Sequence, residues 1–364
     1  MASTQPPHLR RITLLLVLIS LCTLAQAKAA SISKEFIYTS APFPSAHAST
    51  LVQLRNGDLL AAWFGGTHEN APDVAIWGSR RSSGHWSAPF LLVREPNIAC
   101  WNPVLFHSAD GKLWLYYKFG PSARTWTGAR LVSNDDGKTW SKPEHLPAGL
   151  LGPIKDKPLV LPNGTIVSGT SVESYSSWAA WIDRSTDNGK TWQKIGPITV
   201  PAQTTPPQQP SGDTKEHVHG IIQPTIVSLG KKHLRLYARS TSDIARICVA
   251  DSFDNGITWT QAHPIDLPNP NSGIDAVGLR DGRIVLIFNN STKDRTPLNL
   301  AISSDGEHFK IFATLEDQPG EYSYPAIIQD RDGNLDTTYT WNRKRISFAS
   351  IPLASISATH PDRQ

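Results

Sequence analysis

Short apolar runs, each introduced by a turn, recur along this chain. Turns at Asn56-Gly57, Asp110-Gly111, Asn163-Gly164, Gly230, Asp281-Gly282 and Asp332-Gly333 are each followed by an apolar segment, such as Leu59-Leu60-Ala61-Ala62-Trp63-Phe64 or Leu113-Trp114-Leu115-Tyr116-Tyr117. Runs of this length between turn-formers predict β-strands. The turns are spaced about 50 to 55 residues apart, with one interval near 66, which marks an internal repeat.

A second pattern runs in step with the first. The octapeptide Ser-x-Asp-x-Gly-x-Thr-Trp occurs in full at Ser133–Trp140, Ser185–Trp192 and Ser252–Trp259. A degenerate copy spans Ser79–Trp86, and another, one residue shorter, runs from Ser303 to Phe309. Such a segment is a hairpin turn: Asp accepts backbone N–H groups, Gly supplies positive φ, and Trp buries its ring. It is a stability device, not a catalytic one. The first five turns precede these copies by about 27 to 29 residues, counted to the closing aromatic, so each unit reads strand, turn, strand, loop, strand, octapeptide, strand. Four strands make a blade, and six units predict an all-β, six-bladed β-propeller. The long interval contains Pro201–Ser211, rich in Pro, Gln and Thr, which reads as an inserted surface loop. The sixth unit ends before any octapeptide. The segment Glu35–Tyr38 is therefore expected to supply the missing strand of the last blade and to close the ring, leaving no exposed sheet edge.

Composition agrees with this reading. Only 18% of the 364 residues are charged, while Trp (12), Gly (25) and Pro (28) are plentiful. The net charge of +4 is mild, and no Lys/Arg cluster marks a nucleic-acid surface. Residues 1–27 read as a signal peptide: Arg10 and Arg11, then the apolar run Ile12–Ala25, then Ala25-Gln26-Ala27 as a small-x-small cleavage pattern. The expected mature chain, residues 28–364, is one propeller domain, secreted or periplasmic, monomeric and free of the membrane once the leader is removed. Cys100 and Cys248 read as two buried thiols, with a disulfide permitted by the compartment. His68-Glu69 and His217-Val218-His219 lack the spacing of a helical zinc motif, so neither metal nor cofactor is expected.

Aligning the units on their turns brings six inner-strand segments into register: His47-Ala48-Ser49, Trp101-Asn102-Pro103, Asp156-Lys157-Pro158, Ile222-Gln223-Pro224, Ile274-Asp275-Ala276 and Ser323-Tyr324-Pro325. Polar groups recur there, at His47, Asn102, Lys155, Lys157, Gln223, Asp275 and Tyr322, on strands that are otherwise apolar. Polar side chains converging on one mouth of a channel suggest a binding site. The alternative is a plug whose groups satisfy one another. Lys155 and Lys157 alternate, so one of them faces the axis.

These features resemble the sialidase superfamily, and more closely its exported sialidase-like proteins with BNR (Asp-box) repeats. The resemblance covers essentially the whole mature chain and rests on the octapeptides together with His47-Ala48-Ser49-Thr50, Trp63-Phe64-Gly65-Gly66-Thr67-His68-Glu69, Trp101–Phe106, Leu267–Gly273 and Glu321–Ala326. It implies an exo-acting glycosidase on an acidic oligosaccharide or glycoconjugate, with arginines on the substrate carboxylate, a Tyr nucleophile paired with a Glu, and an Asp acid/base. Carried over, it implies Tyr322 as nucleophile, Asp73 as acid/base, Arg295 as one arginine and Arg239 as another, with Arg246 its rival. Trp101 is a candidate for stacking on a sugar. His47 stands where a first arginine belongs, and Gln223 where the glutamate belongs. Glu321, beside Tyr322, is a substitute carboxylate, although neighbours on a strand point to opposite faces. Two arginines and a histidine still bind a carboxylate, with pH dependence. Three readings follow: a hydrolase of a terminal acidic sugar; a uronate lyase with His47 as base; and a propeller that binds acidic glycans without turnover.

Overall fold

The computed structural model describes residues 31–201 and 218–352, together with Met1. The leader expected over residues 1–27 lies, Met1 apart, outside the described residues, as does the proline-rich insertion beyond Pro201.

The described chain is all β, arranged in consecutive antiparallel meanders. After β1 (Ser33–Phe36) come β2 (Ser45–Gln53), β3 (Leu59–Gly66) and β4 (Ala75–Ser82), with the short β5 (His85–Trp86) and β6 (Phe90–Val93) both paired to β4. Next are β7 (Cys100–His107), β8 (Leu113–Phe119), β9 (Thr127–Ser133) and β10 (Glu144–His145), then β11 (Leu159–Val160), β12 (Ile166–Glu173), β13 (Ser177–Ser185) and β14 (Gln193–Ile198). The third meander continues into β15 (His219–Gly230), β16 (His233–Ser240), β17 (Arg246–Ser252) and β18 (His263–Pro268) through a short parallel pairing of β13 with β15. The chain ends with β19 (Asp275–Gly278), β20 (Ile284–Asn289), β21 (Leu298–Ser303) and β22 (Lys310–Glu316), then β23 (Tyr322–Gln329), β24 (Leu335–Trp341) and β25 (Arg345–Ile351). β1 pairs with β25, so the first strand completes the last sheet.

The six turns anticipated from the sequence join the first and second strands of the meanders, and their glycines have φ between +79° and +95°. No L side chain adopts that conformation readily. The octapeptides link third to fourth strands. At Ser133–Trp140 the Ser133 hydroxyl accepts the Gly137 N–H (2.8 Å) and donates to Asp135 (2.8 Å), which accepts the Thr139 N–H (2.8 Å) and hydroxyl (2.6 Å). The copies at Ser185 and Ser252 repeat this bonding. In the shortened copy, His308 replaces Thr and meets Asp305 with both its N–H (2.8 Å) and its Nδ1 (2.8 Å).

The apolar faces of successive sheets pack together. Leu60 and Phe64 meet Leu105 and Leu115, Val167 meets Leu236, Val249 meets Leu286, and Leu300 meets Tyr339. Trp63 of β3 packs with Ile346 and Phe348 of β25. Leu60, Phe288 and Phe348 are out of water, each worth about 2–3 kcal/mol of burial. Cys100 and Cys248 are free and buried in these cores, in agreement with two buried thiols.

One stretch departs from expectation. The inner strand of the third meander is only Leu159–Val160, and the residues before it form no strand. There Lys155 and Lys157 bond to other sheets instead of extending the ladder.

Candidate functional site

A backbone irregularity recurs on four inner strands. The ladders slip between His47 and Thr50, Trp101 and Val104, Ile222 and Thr225, and Ser323 and Ala326. Within each slip one non-glycine residue is left-handed: Ala48 (φ 54°), Asn102 (φ 36°), Gln223 (φ 53°) and Tyr324 (φ 50°). Such conformations cost on the order of 1–3 kcal/mol each and persist where packing over-determines them, often at functional sites. The bulge re-aims its side chain.

At β23 this decides which tyrosine enters the site. Two residues apart on a regular strand, Tyr322 and Tyr324 would share a face. Instead Tyr322 packs with Tyr339 and Trp341 in the core between the last two sheets, and its phenol is pushed up by burial, with Glu316 and Asp317 nearby. Tyr324 packs against the core of the first two sheets. Its hydroxyl accepts from Arg239 Nη1 (2.6 Å) and Gln223 Nε2 (3.2 Å). The sequence expectation is thus corrected: the tyrosine that meets Gln223 and Arg239 is Tyr324, not Tyr322.

Arg239, near the end of β16, is 7% exposed and fully engaged along one edge. Its Nη1 also donates to Gln223 Oε1 (3.1 Å), and its Nε to Asn271 Oδ1 (2.7 Å). Arg295, in the loop after β20, donates to the Asn271 carbonyl (3.3 Å) and to Glu321 Oε1 (2.8 Å). Both guanidinium carbons lie within 6 Å of the Tyr324 ring centroid, at 5.6 and 5.7 Å. Glu321 also takes two bonds from Arg343 Nε (2.9 and 3.0 Å), and Arg343 Nη1 bonds to Glu69. Burial works against the charge on Glu321, but Arg343 and Arg295 hold its carboxyl below the usual range. Arg343, from the turn between β24 and β25, and Asn271 were not anticipated. Neither occupies a repeat-equivalent position, so alignment of the units gives no signal for them. Tyr324 does occupy one, in the same aligned row as Gln223 and Asn102.

His47 is 2% exposed and its ring centroid is 4.2 Å from that of Tyr324. Nδ1 lies 3.0 Å from Thr340 Oγ1, which also accepts the Ala48 N–H (3.1 Å). Nε2 is buried without a hydrogen-bond partner. Burial, then the charges of Arg343, Arg295, Arg239 and Lys155, hold His47 well below the ordinary histidine range. His47 is therefore a neutral imidazole at physiological pH.

Asp73 sits in the exposed loop between β3 and β4, where it accepts the Thr67 N–H (3.0 Å) and hydroxyl (2.8 Å). Slight burial opposes these bonds, but they hold its carboxyl below the usual range. The same loop reaches the arginine cluster through Glu69.

The remaining candidates fall elsewhere. Lys157 and Asp275 pair with each other (2.8 Å), and Asp275 also accepts from Thr225 Oγ1 (2.8 Å), the Ala276 N–H (2.8 Å) and the Ile327 N–H (2.9 Å). They form a plug joining inner strands, as the alternative reading held. Trp101 donates to the Gly120 carbonyl (2.8 Å) and packs on Phe64 and Trp126. The Asn102 carbonyl accepts from buried Lys118 (3.3 Å). Arg246 lines a cleft beside β18 with Asp266, Glu307 and His308. Among the described residues no group of three His, Cys, Asp or Glu side chains is placed to hold a metal ion.

This arrangement can bind an anion: three arginines, two carboxylates and a neutral histidine leave the cluster net positive. The family model described as a BNR repeat-like domain matches residues 57–337. A sialidase of Bacteroides fragilis is 24% identical over 294 residues, 74% of this chain and 50% of the relative, so the chain spans about half of that protein's length. Among solved structures, a protein of unknown function from Dyadobacter fermentans superposes with a TM-score of 0.71 at 17% identity, covering 88% of this chain and 99% of that one. The NanB sialidase from Streptococcus pneumoniae gives 0.69 at 14% identity, covering 88% and 71%. At these identities the likeness is one of fold.

Proposed function

The chain belongs to the family of BNR repeat-like domains, and from that premise we propose that it is an exo-acting glycoside hydrolase that removes a terminal acidic sugar with retention of configuration. The observation that carries this reading is the Tyr324 hydroxyl, 2.6 Å from Arg239 and within reach of Gln223, in a pocket of arginines. In this reading the meanders are six blades of one ring closed by β1, and the site lies at its mouth. The exported, secreted or periplasmic, location proposed from residues 1–27 suits a glycan substrate.

Arg239, Arg295 and Arg343 bind the sugar carboxylate by charge-assisted hydrogen bonds. Tyr324, its proton lost to solvent, attacks the anomeric carbon as the glycosidic bond breaks. Asp73, which takes up a proton once the substrate displaces its Thr67 bonds, gives it to the departing oxygen, then takes a proton from the water that frees the sugar and returns the Tyr324 phenolate. Asp73 must exchange its Thr67 bonds for the substrate to do so. No group in contact with the Tyr324 hydroxyl takes its proton, because Arg239 and the Gln223 amide both donate to it.

His47 supports a second reading. A neutral imidazole with an unpartnered Nε2 beside Tyr324 suits a base that abstracts the proton next to a uronate carboxylate.

The test is turnover of a fluorogenic sialoside and a fluorogenic glucuronide by the purified chain, with Tyr324→Phe and Tyr322→Phe as variants. Turnover lost in the first and kept in the second is expected. Turnover that survives Tyr324→Phe, or no turnover of either compound, overturns the hydrolase reading. Release of an unsaturated, ultraviolet-absorbing uronate from a polyuronide, abolished by His47→Gln, would install the lyase.

A further inference from the structure

We infer that Lys155, from the irregular segment before β11, is the positioning residue for Tyr324: it fixes the backbone that carries the tyrosine and places a buried positive charge beside it. This rests on the hydrolase reading of the site and deepens it.

Lys155 reaches two parts of the site at once. Its Nζ donates to the carbonyl of Pro325, directly after Tyr324, and to the Ile274 carbonyl (2.7 Å), three residues beyond Asn271. Asn271 accepts from Arg239 on its side chain and from Arg295 on its carbonyl. One ammonium group therefore ties the strand that bears the tyrosine to the loop that meets both arginines. The side chains converge as well. A Cβ placed on Gly273 would stand 3.4 Å from each of Lys155 Cε, Gln223 Oε1 and Tyr324 Cδ2.

The bond to Pro325 falls where the backbone needs it. Tyr324 and Pro325 lie inside the register slip of β23 and have no paired residue on β24. Tyr324 is left-handed (φ 50°) and precedes a proline, whose ring restricts it further. Such a conformation persists only where its surroundings over-determine it. Pro325 has no N–H to contribute, so its carbonyl, bonded to Lys155, carries the tether. Lys155 is 3% exposed and its own backbone is anchored. The buried Lys118 donates to the Pro153 and Ile154 carbonyls, and the Ile154 N–H donates to the Gly169 carbonyl (3.1 Å).

Charge adds to aim. In the hydrolase reading the Tyr324 oxygen is negative before it attacks and again when the sugar leaves, and a buried cation beside it stabilises that charge. The field of Lys155 reaches this site: burial, and then a set of cations that includes Lys155, holds His47 low. Asp156, bonded to Lys155 at 2.7 Å, governs how much of the charge is presented. Lys155, Lys157 and Lys118 face Asp156 as cations and Asp275 as an anion. Burial, in spite of Lys155 and Lys157 and with Asp275 adding to it, pushes the Asp156 carboxyl up to about 7. Below that pH Asp156 is neutral and Lys155 is uncompensated; above it the two form a neutral pair.

The experiment measures kcat and KM between about pH 5 and about pH 9 on whichever of the fluorogenic sialoside and glucuronide the wild type cleaves. Circular dichroism first establishes that each protein is folded across that range. Lys155→Met keeps the stem and removes the ammonium group. Its kcat is expected to fall by about 10², with KM within about twofold, because Arg239 and Arg295 keep their own partners. In Asp156→Asn the ratio of kcat to that of wild type is expected to rise as pH passes through 7 and then to level off; titration of other groups cancels in the ratio. That second result stands should Lys155→Met fail to fold. A kcat within about threefold of wild type in Lys155→Met, or a loss confined to KM, overturns the role of Lys155 alone, provided Tyr324→Phe is inactive in the same assay. A pH-independent ratio in Asp156→Asn overturns it as well, since the charge of Lys155 then does not act on Tyr324. Turnover that survives Tyr324→Phe, or no turnover of either compound by the wild type, removes the hydrolase reading and the role of Lys155 with it.

Discussion

At the residue scale, the site depends on a few backbone outliers. Aligning the repeats placed Ala48, Asn102, Gln223 and Tyr324 in one row, and all four are left-handed in the structure. What alternation along a strand could not supply was the bulge. A period of two assigns Tyr322 and Tyr324 to the same face, whereas the slip at Ser323–Ala326 separates them. The partnership between the tyrosine and position 223 was legible; the tyrosine itself was not. Gln223 lends itself to a gain-of-function test. Its amide donates to Tyr324 and its carbonyl accepts from Arg239. In Gln223→Glu the Arg239 bond is kept and strengthened by charge, while the carboxylate becomes an acceptor for the phenolic proton. Where general-base assistance is missing, restoring it raises turnover by about 10². Steady-state kinetics on whichever acidic glycoside the wild type cleaves should show kcat rising and KM changing little. A kcat that is unchanged or lower would mean that proton acceptance at Tyr324 does not limit the reaction.

At the element scale, turns and octapeptides were read correctly because their causes are local. Each octapeptide closes its own hydrogen bonds within five residues, so residue type and spacing suffice to recognise it. The charged inner-strand residues were harder. Lys157 and Asp275 are 118 positions apart, and nothing near either of them announces their pairing. The two classes of residue should respond differently to substitution. Asp254 accepts the Thr258 N–H (2.9 Å) and hydroxyl (2.6 Å) and the Ser252 hydroxyl (2.8 Å), at the opposite end of the β16–β17 pair from Arg239. Asp254→Ala removes these three bonds and a fourth, from the Ile257 N–H (3.0 Å), each worth about 0.5–1.5 kcal/mol net where not replaced by water. Calorimetric melting should show Tm lowered by about 2–6 °C, with kcat and KM on the same glycoside unaltered. A matching loss of activity would contradict the assignment of these turns to stability alone.

At the scale of the whole molecule, the inner strands are tied together by buried charge. Lys155 Nζ donates to Asp156 (2.7 Å), to the Ile274 carbonyl (2.7 Å) and to the Pro325 carbonyl, so one ammonium group joins three sheets. Asp156 is 2% exposed, and its second oxygen is buried without a partner. Burial, in spite of Lys155 and with Asp275 adding to it, pushes the Asp156 carboxyl up to about 7. The sign of the resulting pH dependence follows from which state holds the proton. In the unfolded chain this carboxyl ionises near 4, while the folded protein keeps its proton up to about 7. Its contribution to stability is thus fully present below pH 4 and is lost as pH rises through 7, by an amount on the order of 4 kcal/mol. Asp156→Asn mimics the protonated form at every pH and keeps an oxygen toward Lys155. Denaturant unfolding of variant and wild type should therefore give a difference that moves in favour of the variant between pH 4 and pH 8 and levels off above. Because only the difference is read, titration of other groups, such as Asp183 and His47, cancels. A difference independent of pH would mean that Asp156 is ionised throughout and that the Lys155 ion pair, rather than a shared proton, holds these strands together.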